Sequence, residues 1–326
     1  MTMTTRNNYF IGMFVAISLL SGCKSSMTGP STSIQGISMS HSGLYPSRAE
    51  ESYGLWFEFP KGAPGRKGEQ IQHGVTVDRL ASTFRILPNG SLFGFDTVGL
   101  ASKLGYPLAI AIHASISIEK TDSIGATPRT EFLVGEITGT SSTGTATLTS
   151  THEEALNYDF TGMSASVTLA NVQGKPPSDL ELYLMNATSS TQTSPSVNSM
   201  PLLPDAWEYA MWAVDSSTKS LPPFNIYYGT FTSPAEMDSK PGDNHYPYPG
   251  GRFPADSTQP IYDLRSNGKI EVMLTLEPKT NGARPSSPFG AILLKAAIPS
   301  SIPPFSPIQL SNKAALFPTA SITIHR

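Results

Sequence analysis

Ile116-Ser-Ile-Glu119 in the first half of the chain returns as Leu274-Thr-Leu-Glu277 in the second, and each stretch runs into a turn rich in Gly, Ala, Arg and Pro. Apolar residues alternate with hydroxyl residues, which is the period of a strand with one buried face and not of a helix. Working outward from the two acids, the same landmarks recur in the same order. Tyr53-x-x-Trp56 returns as Tyr209-x-x-Trp212, and Thr83-Phe84 as Thr230-Phe231. After each Glu the chain enters an apolar segment, Phe132-Leu-Val134 in one case and Phe289-Gly-Ala-Ile-Leu-Leu294 in the other. Trp56 and Glu119 lie 63 residues apart, Trp212 and Glu277 65, so the copies are offset by 156 residues at the Trp and 158 at the Glu. Order and spacing held together in this way identify an internal tandem duplication.

Strand patterning continues at Ala109–Ile118, Ser164–Leu169 and Ile270–Leu276. Turn chemistry separates these runs at Pro88-Asn89-Gly90, Gly174-Lys-Pro-Pro177, Asn267-Gly268 and Asn281-Gly282. Only Val98–Leu104 and Glu153–Leu156 carry short helical patterns. The 27 Gly and 28 Pro among 326 residues disfavour a helical protein, and 39% hydrophobic residues suffice for real cores. The expectation is an all-β chain of two tandem β-sandwich-like modules, 49–200 and 201–326. Residues 151–200 are expected to complete the first. The Pro-rich Ile298–Pro307 is expected to wrap the second before a last strand at Ser321–Ile324.

The N-terminus has a different character. Arg6 precedes the apolar run Phe10–Leu20, which is about half the ~20 residues a membrane-spanning helix needs. It ends in Leu20-Ser21-Gly22-Cys23, which resembles a bacterial lipobox and contains the one cysteine of the chain. The resemblance implies a lipoprotein signal peptide over 1–22, cleavage before Cys23, and lipidation of Cys23 with acylation of the new amine. More than one acyl chain then gives stable attachment to a membrane. Lys24, not Asp, follows the cysteine, which favours the outer over the inner membrane. The polar stretch 23–48 reads as a flexible tether. A single cysteine excludes a disulfide scaffold, an iron–sulfur cluster and a thiolate zinc site. A net charge of −3, with 14% charged residues, gives no electrostatic footprint for nucleic acid.

The string Trp207-Glu-Tyr-Ala-Met-Trp-Ala-Val-Asp215, followed by Tyr228-Gly-Thr-Phe231, Leu274-Thr-Leu-Glu-Pro278, Arg284-Pro285 and Ala291-Ile-Leu-Leu294, resembles the extracytoplasmic C-terminal domain of anti-sigma-K factors. Residues 205–295 carry the likeness best, and 50–135 is the more divergent copy, with Lys120 in place of the Pro. Anti-sigma factors place a cytoplasmic sigma-binding segment and a membrane span ahead of this domain. The lipobox-like leader here implies a wholly extracytoplasmic body, so direct sigma binding is not expected, and the family's domain brings no catalytic residues.

The singled-out side chains read mostly as structural. Tyr53, Trp56, Tyr209 and Trp212 fit a core between sheets, and Glu119 and Glu277 fit carboxylates that accept N–H bonds from the turn behind them. The six His, at 41, 73, 113, 152, 245 and 325, show no metal-binding spacing. Metal-ligand types adjoin only at His152-Glu153-Glu154 and Asp243-Asn244-His245, both read as solvated loops. No nucleophile elbow or phosphate-binding loop occurs, and no cofactor is expected. The best candidate contact surface is the long loop 234–260, through Tyr246, Tyr248, Arg252 and Phe253, against the alternative that this loop covers a sheet edge. The expected function is a non-enzymatic cell-envelope lipoprotein, a binding or structural module for an envelope protein or a glycan. An envelope-stress sensor and an extracytoplasmic hydrolase are the alternatives.

Overall fold

The structure is a computed structural model that describes residues 32–34, 36–61, 75–96, 100–140, 142–171, 180–189, 192–215, 225–233, 248–251, 264–265, 269–279, 285 and 287–325. Among them the chain runs β1 (Thr32–Ile34), β2 (Ile37–Ser42), β3 (Glu51–Pro60), β4 (Thr76–Ile86), β5 (Leu92–Phe93) and the five-residue helix α1 (Leu100–Leu104). Next come β6 (His113–Lys120), β7 (Glu131–Glu136), β8 (Thr138–Gly139), β9 (Thr143–Leu148), β10 (Ala165–Asn171), β11 (Leu180–Tyr183), β12 (Met185–Ser189) and β13 (Gln192–Pro195). The second half holds β14 (Trp207–Asp215), β15 (Asn225–Phe231), β16 (Gly250–Gly251), β17 (Ile270–Pro278), β18 (Ile292–Ala297), β19 (Pro307–Asn312) and β20 (Thr319–His325). The all-β expectation holds. Glu153–Leu156 forms a turn and not a helix, and Ala109–Ile110 belong to a 3₁₀ turn, so the strand expected from Ala109 begins only at His113.

The duplication is visible in the register. β3 lies between β4 and β6, and β14 between β15 and β17. Tyr53 stands opposite Phe84 and Ile118, as Tyr209 stands opposite Phe231 and Leu276. Both copies carry a bulge at the residue pair that ends in the Trp, Leu55/Trp56 and Met211/Trp212. A second bulge recurs at Ile116/Ser117 and Leu274/Thr275. Bulges re-aim side chains and bend a sheet, so the copies share curvature as well as order. The Tyr53 hydroxyl donates to the Tyr45 carbonyl at 3.0 Å, and the Tyr209 hydroxyl donates to the Pro201 carbonyl at 2.9 Å, eight residues upstream in each case.

The sheets do not divide at residue 200. β9 and β19 are equivalent strands, but neither pairs with the next long strand of its own copy. β9 pairs with β20 from the end of the chain, and β19 pairs with β10 from the first half. The exchange is reciprocal and in register: Ala165-Ser-Val-Thr-Leu169 lies on β19 as Ala320-Ser-Ile-Thr-Ile324 lies on β9, with Ala165 opposite Leu310 and Ala320 opposite Leu148. β10 and β11, expected to complete the first module, therefore complete the second copy's sheet instead, and the last strand belongs to the first copy's half. The tether expectation is corrected as well. β2 pairs along its length with β20, burying Ile37, Met39 and His41, and Leu44 and Arg48 are buried too. The serines of this stretch occupy the alternate, less buried positions, which hid its period of two.

One contiguous apolar core spans both copies, from Tyr53, Leu55, Phe57 and Phe59 to Tyr209, Met211, Leu274 and Leu294. At the junction Phe132 packs against Trp207 and Phe289, with ring centroids 5.5 and 5.7 Å apart, and Tyr45 meets Phe289 at 5.6 Å. Gly290 makes this closure possible, because a Cβ there would collide with the Tyr45 ring. The exchange predicts a single cooperative unfolding transition. Ile322→Ala, which empties a fully buried site on β20, is expected to cost about 2–4 kcal/mol and to speed amide exchange in β14 and β17 as well as in β9. Unchanged exchange in β14 and β17 would mean that the copies unfold separately.

Candidate functional site

The Trp of each Tyr-x-x-Trp landmark meets its Glu on the outer face of the central strands, while the Tyr belongs to the main core. Trp56 Nε1 donates to Ser117 Oγ at 2.7 Å, and Ser117 in turn donates to Glu119, which also accepts the Arg129 N–H at 3.1 Å. In the second copy Trp212 Nε1 (3.2 Å), Thr275 Oγ1 (2.7 Å) and the Phe289 N–H (2.9 Å) all donate to Glu277 Oε1. Each acid thus pins the turn after its own strand, as its position before that turn suggests. The copies differ in one partner. Arg48, from the segment before β3, crosses to ion-pair with Glu277 and stands over the Phe289 ring at 5.4 Å. The residue of the second copy that aligns with Arg48 is Pro204, which carries no charge, and Glu119 Oε2 meets no donor among the described residues. Burial pushes the Glu277 carboxyl up, and Arg48 pulls against that shift.

The same outer face behaves differently beyond the Trp. In the second copy Val214, Met273 and Ile292 surround a cluster of Ala210, Trp212 and Tyr227, with Trp212 and Tyr227 centroids 4.7 Å apart. The register equates these three with Glu58, Ser115 and Glu131 of the first copy. An apolar lid in one copy is a polar recess in the other. The result is a cavity of about 280 Å³ lined by Glu58, Asp78, His113, Ser115, Glu131 and Glu154, among others. Glu58 on β3 stands directly opposite both His113 on β6 and Asp78 on β4. His113 Nδ1 lies 2.5 Å from Glu58 Oε2 and 3.3 Å from Glu154 Oε2. Glu154 comes from the turn after β9, held by Leu156 N–H to Ser150 and Ala155 N–H to His152 bonds of 3.0 Å each, with Ala155 and Leu156 buried beneath. The His152 ring meets His113 edge-on at 5.4 Å. Burial pushes Glu131 up to about 7, reinforced by Asp78, Glu154 and Glu58 and opposed by a hydrogen bond from Ser115. Asp78 is raised for the same reason, burial first and then Glu58 and Glu154.

Of the sequence candidates, Cys23, Tyr246, Arg252 and Phe253 lie outside the described residues, as do His73 and Asp243-Asn244-His245. Tyr248 is only 8% exposed and packs with Ala170, Tyr183, Met185 and Ala187. Next to it β16 pairs with β11, and Leu184 N–H bonds the Pro249 carbonyl at 2.9 Å. This part of the long loop covers a sheet edge, which was the alternative reading, and Tyr248 is a packing residue. The four aromatic landmarks are core, and His41 is buried on β2, with burial pulling its pKa down. Glu154 is exposed on its turn, as expected, but also lines the cavity beside His113 and Glu58, and the His152 ring packs against His113. A residue-by-residue alignment of the two copies is the signal that would have marked the place, since it sets Glu58 against Val214 and Ser115 against Met273. No family model matches the chain, and neither the curated proteins nor the solved structures provide a match.

Two outcomes follow. Arg48→Met leaves Glu277 buried without its counter-charge and is expected to lower stability by about 3–5 kcal/mol in urea titrations, with Arg48→Met combined with Glu277→Gln recovering part of the loss. The folded Glu131 holds its proton to about pH 7, whereas its ordinary value is 4.5. The folded state therefore binds the extra proton within this window, and stability falls as pH rises through it. With chelator present, Glu131→Gln is expected to remove on the order of 2 kcal/mol of that decline between pH 5 and pH 8, read as a smaller shift in urea midpoint than the unsubstituted chain shows.

Proposed function

We propose that this chain is a lipid-anchored cell-envelope protein with a non-enzymatic binding or structural role. The observation that carries the reading is the leader, an apolar run ending in Leu20-Ser21-Gly22-Cys23, ahead of a body with paired strands from Thr32 onward. Two further features support it. The acids repeated in both copies are occupied in pinning turns, a structural use. Among the described residues no helix is long and apolar enough to cross a membrane, and a lipid at Cys23 would supply attachment. The envelope, with the outer membrane favoured by Lys24, is the proposed location, and an envelope protein or a glycan the proposed partner.

A second reading rests on the likeness of 205–295 to the outer domain of anti-sigma-K factors: a sensor of envelope stress that acts through a membrane partner, without contact to a sigma factor. The two readings separate in a deletion strain, where transcription of the stress regulon changes only under the second.

The anchor itself has a direct test. The mature protein is expected in the membrane fraction, with mass spectrometry showing an acylated N-terminal Cys23 and no residues before it. Cys23→Ala is expected to move it to the soluble fraction or leave it unprocessed. An unmodified Cys23 behind an intact Met1 would refute the proposal.

A further inference from the structure

We propose that the acidic cavity on the outer face of the first copy is a binding site for a divalent transition-metal ion, with His113 Nδ1 and the carboxylates of Glu58 and Glu154 as its protein ligands. The inference stands apart from the envelope reading. One ligand atom from each of the three residues lies within 4.8 Å of the others, and two of the three residues sit directly opposite each other on central strands. The third sits on a turn fixed by backbone hydrogen bonds and by the burial of the two residues after it. Tetrahedral coordination with bonds of about 2.0–2.1 Å places ligand atoms about 3.3 Å apart. His113 Nδ1 and Glu154 Oε2 already have that separation, 3.3 Å. His113 Nδ1 and Glu58 Oε2, at 2.5 Å, are at the distance of a shared proton, so an ion that displaces the proton needs them to separate by less than about 1 Å.

The donor set defines the class of ion. One imidazole nitrogen with two carboxylates suits zinc and its first-row neighbours, whereas calcium and magnesium select all-oxygen cages. Asp78 and Glu131 line the same space without contributing to the triad. The three ligand residues line a cavity of about 280 Å³, which has room for an ion with its waters and is small for an extended ligand. His152 is not a ligand through Nδ1, because that nitrogen accepts the Glu154 N–H at 3.3 Å. Its ring instead packs against His113.

The second copy supplies an independent observation. The equivalent face carries Val214, Met273 and Ile292 over Trp212, and there the His113 position is Glu271, which pairs with Lys295 at 2.8 Å. In the first copy the Lys295 position is Val134, and none of the described residues that line the cavity is a Lys or Arg. The fold thus accommodates an apolar or internally neutralised face at this place, and the first copy carries convergent ligands instead.

The test uses the untagged full chain purified in detergent and stripped with a chelator. Calorimetric titration with Zn²⁺ is expected to show saturable binding of one ion per chain, and Co²⁺ to give visible ligand-field absorption. His113→Gln and Glu58→Gln are expected to weaken Zn²⁺ binding at least tenfold. Glu154→Gln, on a half-exposed side chain that the fold does not need, is expected to weaken it severalfold, and Glu153→Gln next to it to leave it unchanged. Zn²⁺ is expected to raise the Tm of the unsubstituted chain, and to raise that of Glu154→Gln by less at the same concentration. Absence of saturable binding, equal affinity for Ca²⁺, or binding that survives both His113→Gln and Glu154→Gln would overturn the proposal.

Discussion

The reciprocal exchange of β10 and β20 is the constraint on which the rest of the molecule depends. A sheet edge left by one copy is closed by a strand of the other, so neither half can bury its edge groups alone. β20 lies between β2 and β9, which ties Ile37–Ser42 to Thr319–Ile324, about 280 residues further on. β10 lies between β19 and β11, and β11 in turn receives β16 from the long loop. Contacts of such sequence separation impose a large loop-closure cost before any apolar burial offsets it. The aromatic junction of Tyr45, Phe132, Trp207 and Phe289 is where that offset concentrates. The Trp207 indole N–H reinforces it by donating to the Glu131 carbonyl at 3.1 Å, and the Arg129 guanidinium by donating to the Lys279 carbonyl at 3.0 Å.

Duplication followed by exchange also explains why two equivalent carboxylates have unequal surroundings. Glu119 and Glu277 perform the same local task, holding the turn beyond the strand by its N–H groups. Only Glu277 faces the segment that crosses from the other copy, and only it receives a guanidinium. A buried ion pair of this kind contributes little net stability compared with an apolar pair, but it penalises any arrangement in which the charge lacks its partner. Arg48 to Glu277 therefore acts as a check on how the two halves are docked, more than as a source of stability.

Much of this was legible in the residues, and the illegible parts have physical reasons. The Tyr-x-x-Trp, Thr-Phe and Glu landmarks fix strand neighbours because cross-strand partners must share a face, and the copies keep even their bulges in step. The exchange could not be read, because Ala165-Ser-Val-Thr-Leu169 and Ala320-Ser-Ile-Thr-Ile324 present almost the same pattern to either β9 or β19, and local propensity does not choose between them. Ile37-Ser-Met-Ser-His41 looked like a tether because serine at every second position hides a period of two. Glu58 and His113 are 55 residues apart, and only register makes them neighbours. Tyr248 drew notice as an aromatic in a long Pro-rich loop, yet the residues beside it complete a sheet edge, a role its composition does not distinguish from contact with a partner.

The cavity is the one place where the first copy departs from what its own fold favours. Four carboxylates line about 280 Å³, and the upward displacement of Glu131 and Asp78 records first the loss of water and then their mutual repulsion. The second copy demonstrates on the same backbone that Val, Met and Ile can close over the Trp at this position, so the acidic version is not a requirement of the architecture. Local choices that oppose the global fold without a compensating contact are characteristic of sites with a use. His113, set between Glu58 and Glu154, and the Ser115 hydroxyl at Glu131 offset part of that repulsion from within the chain, and a positive charge small enough for the recess and soft enough for an imidazole nitrogen would offset the rest.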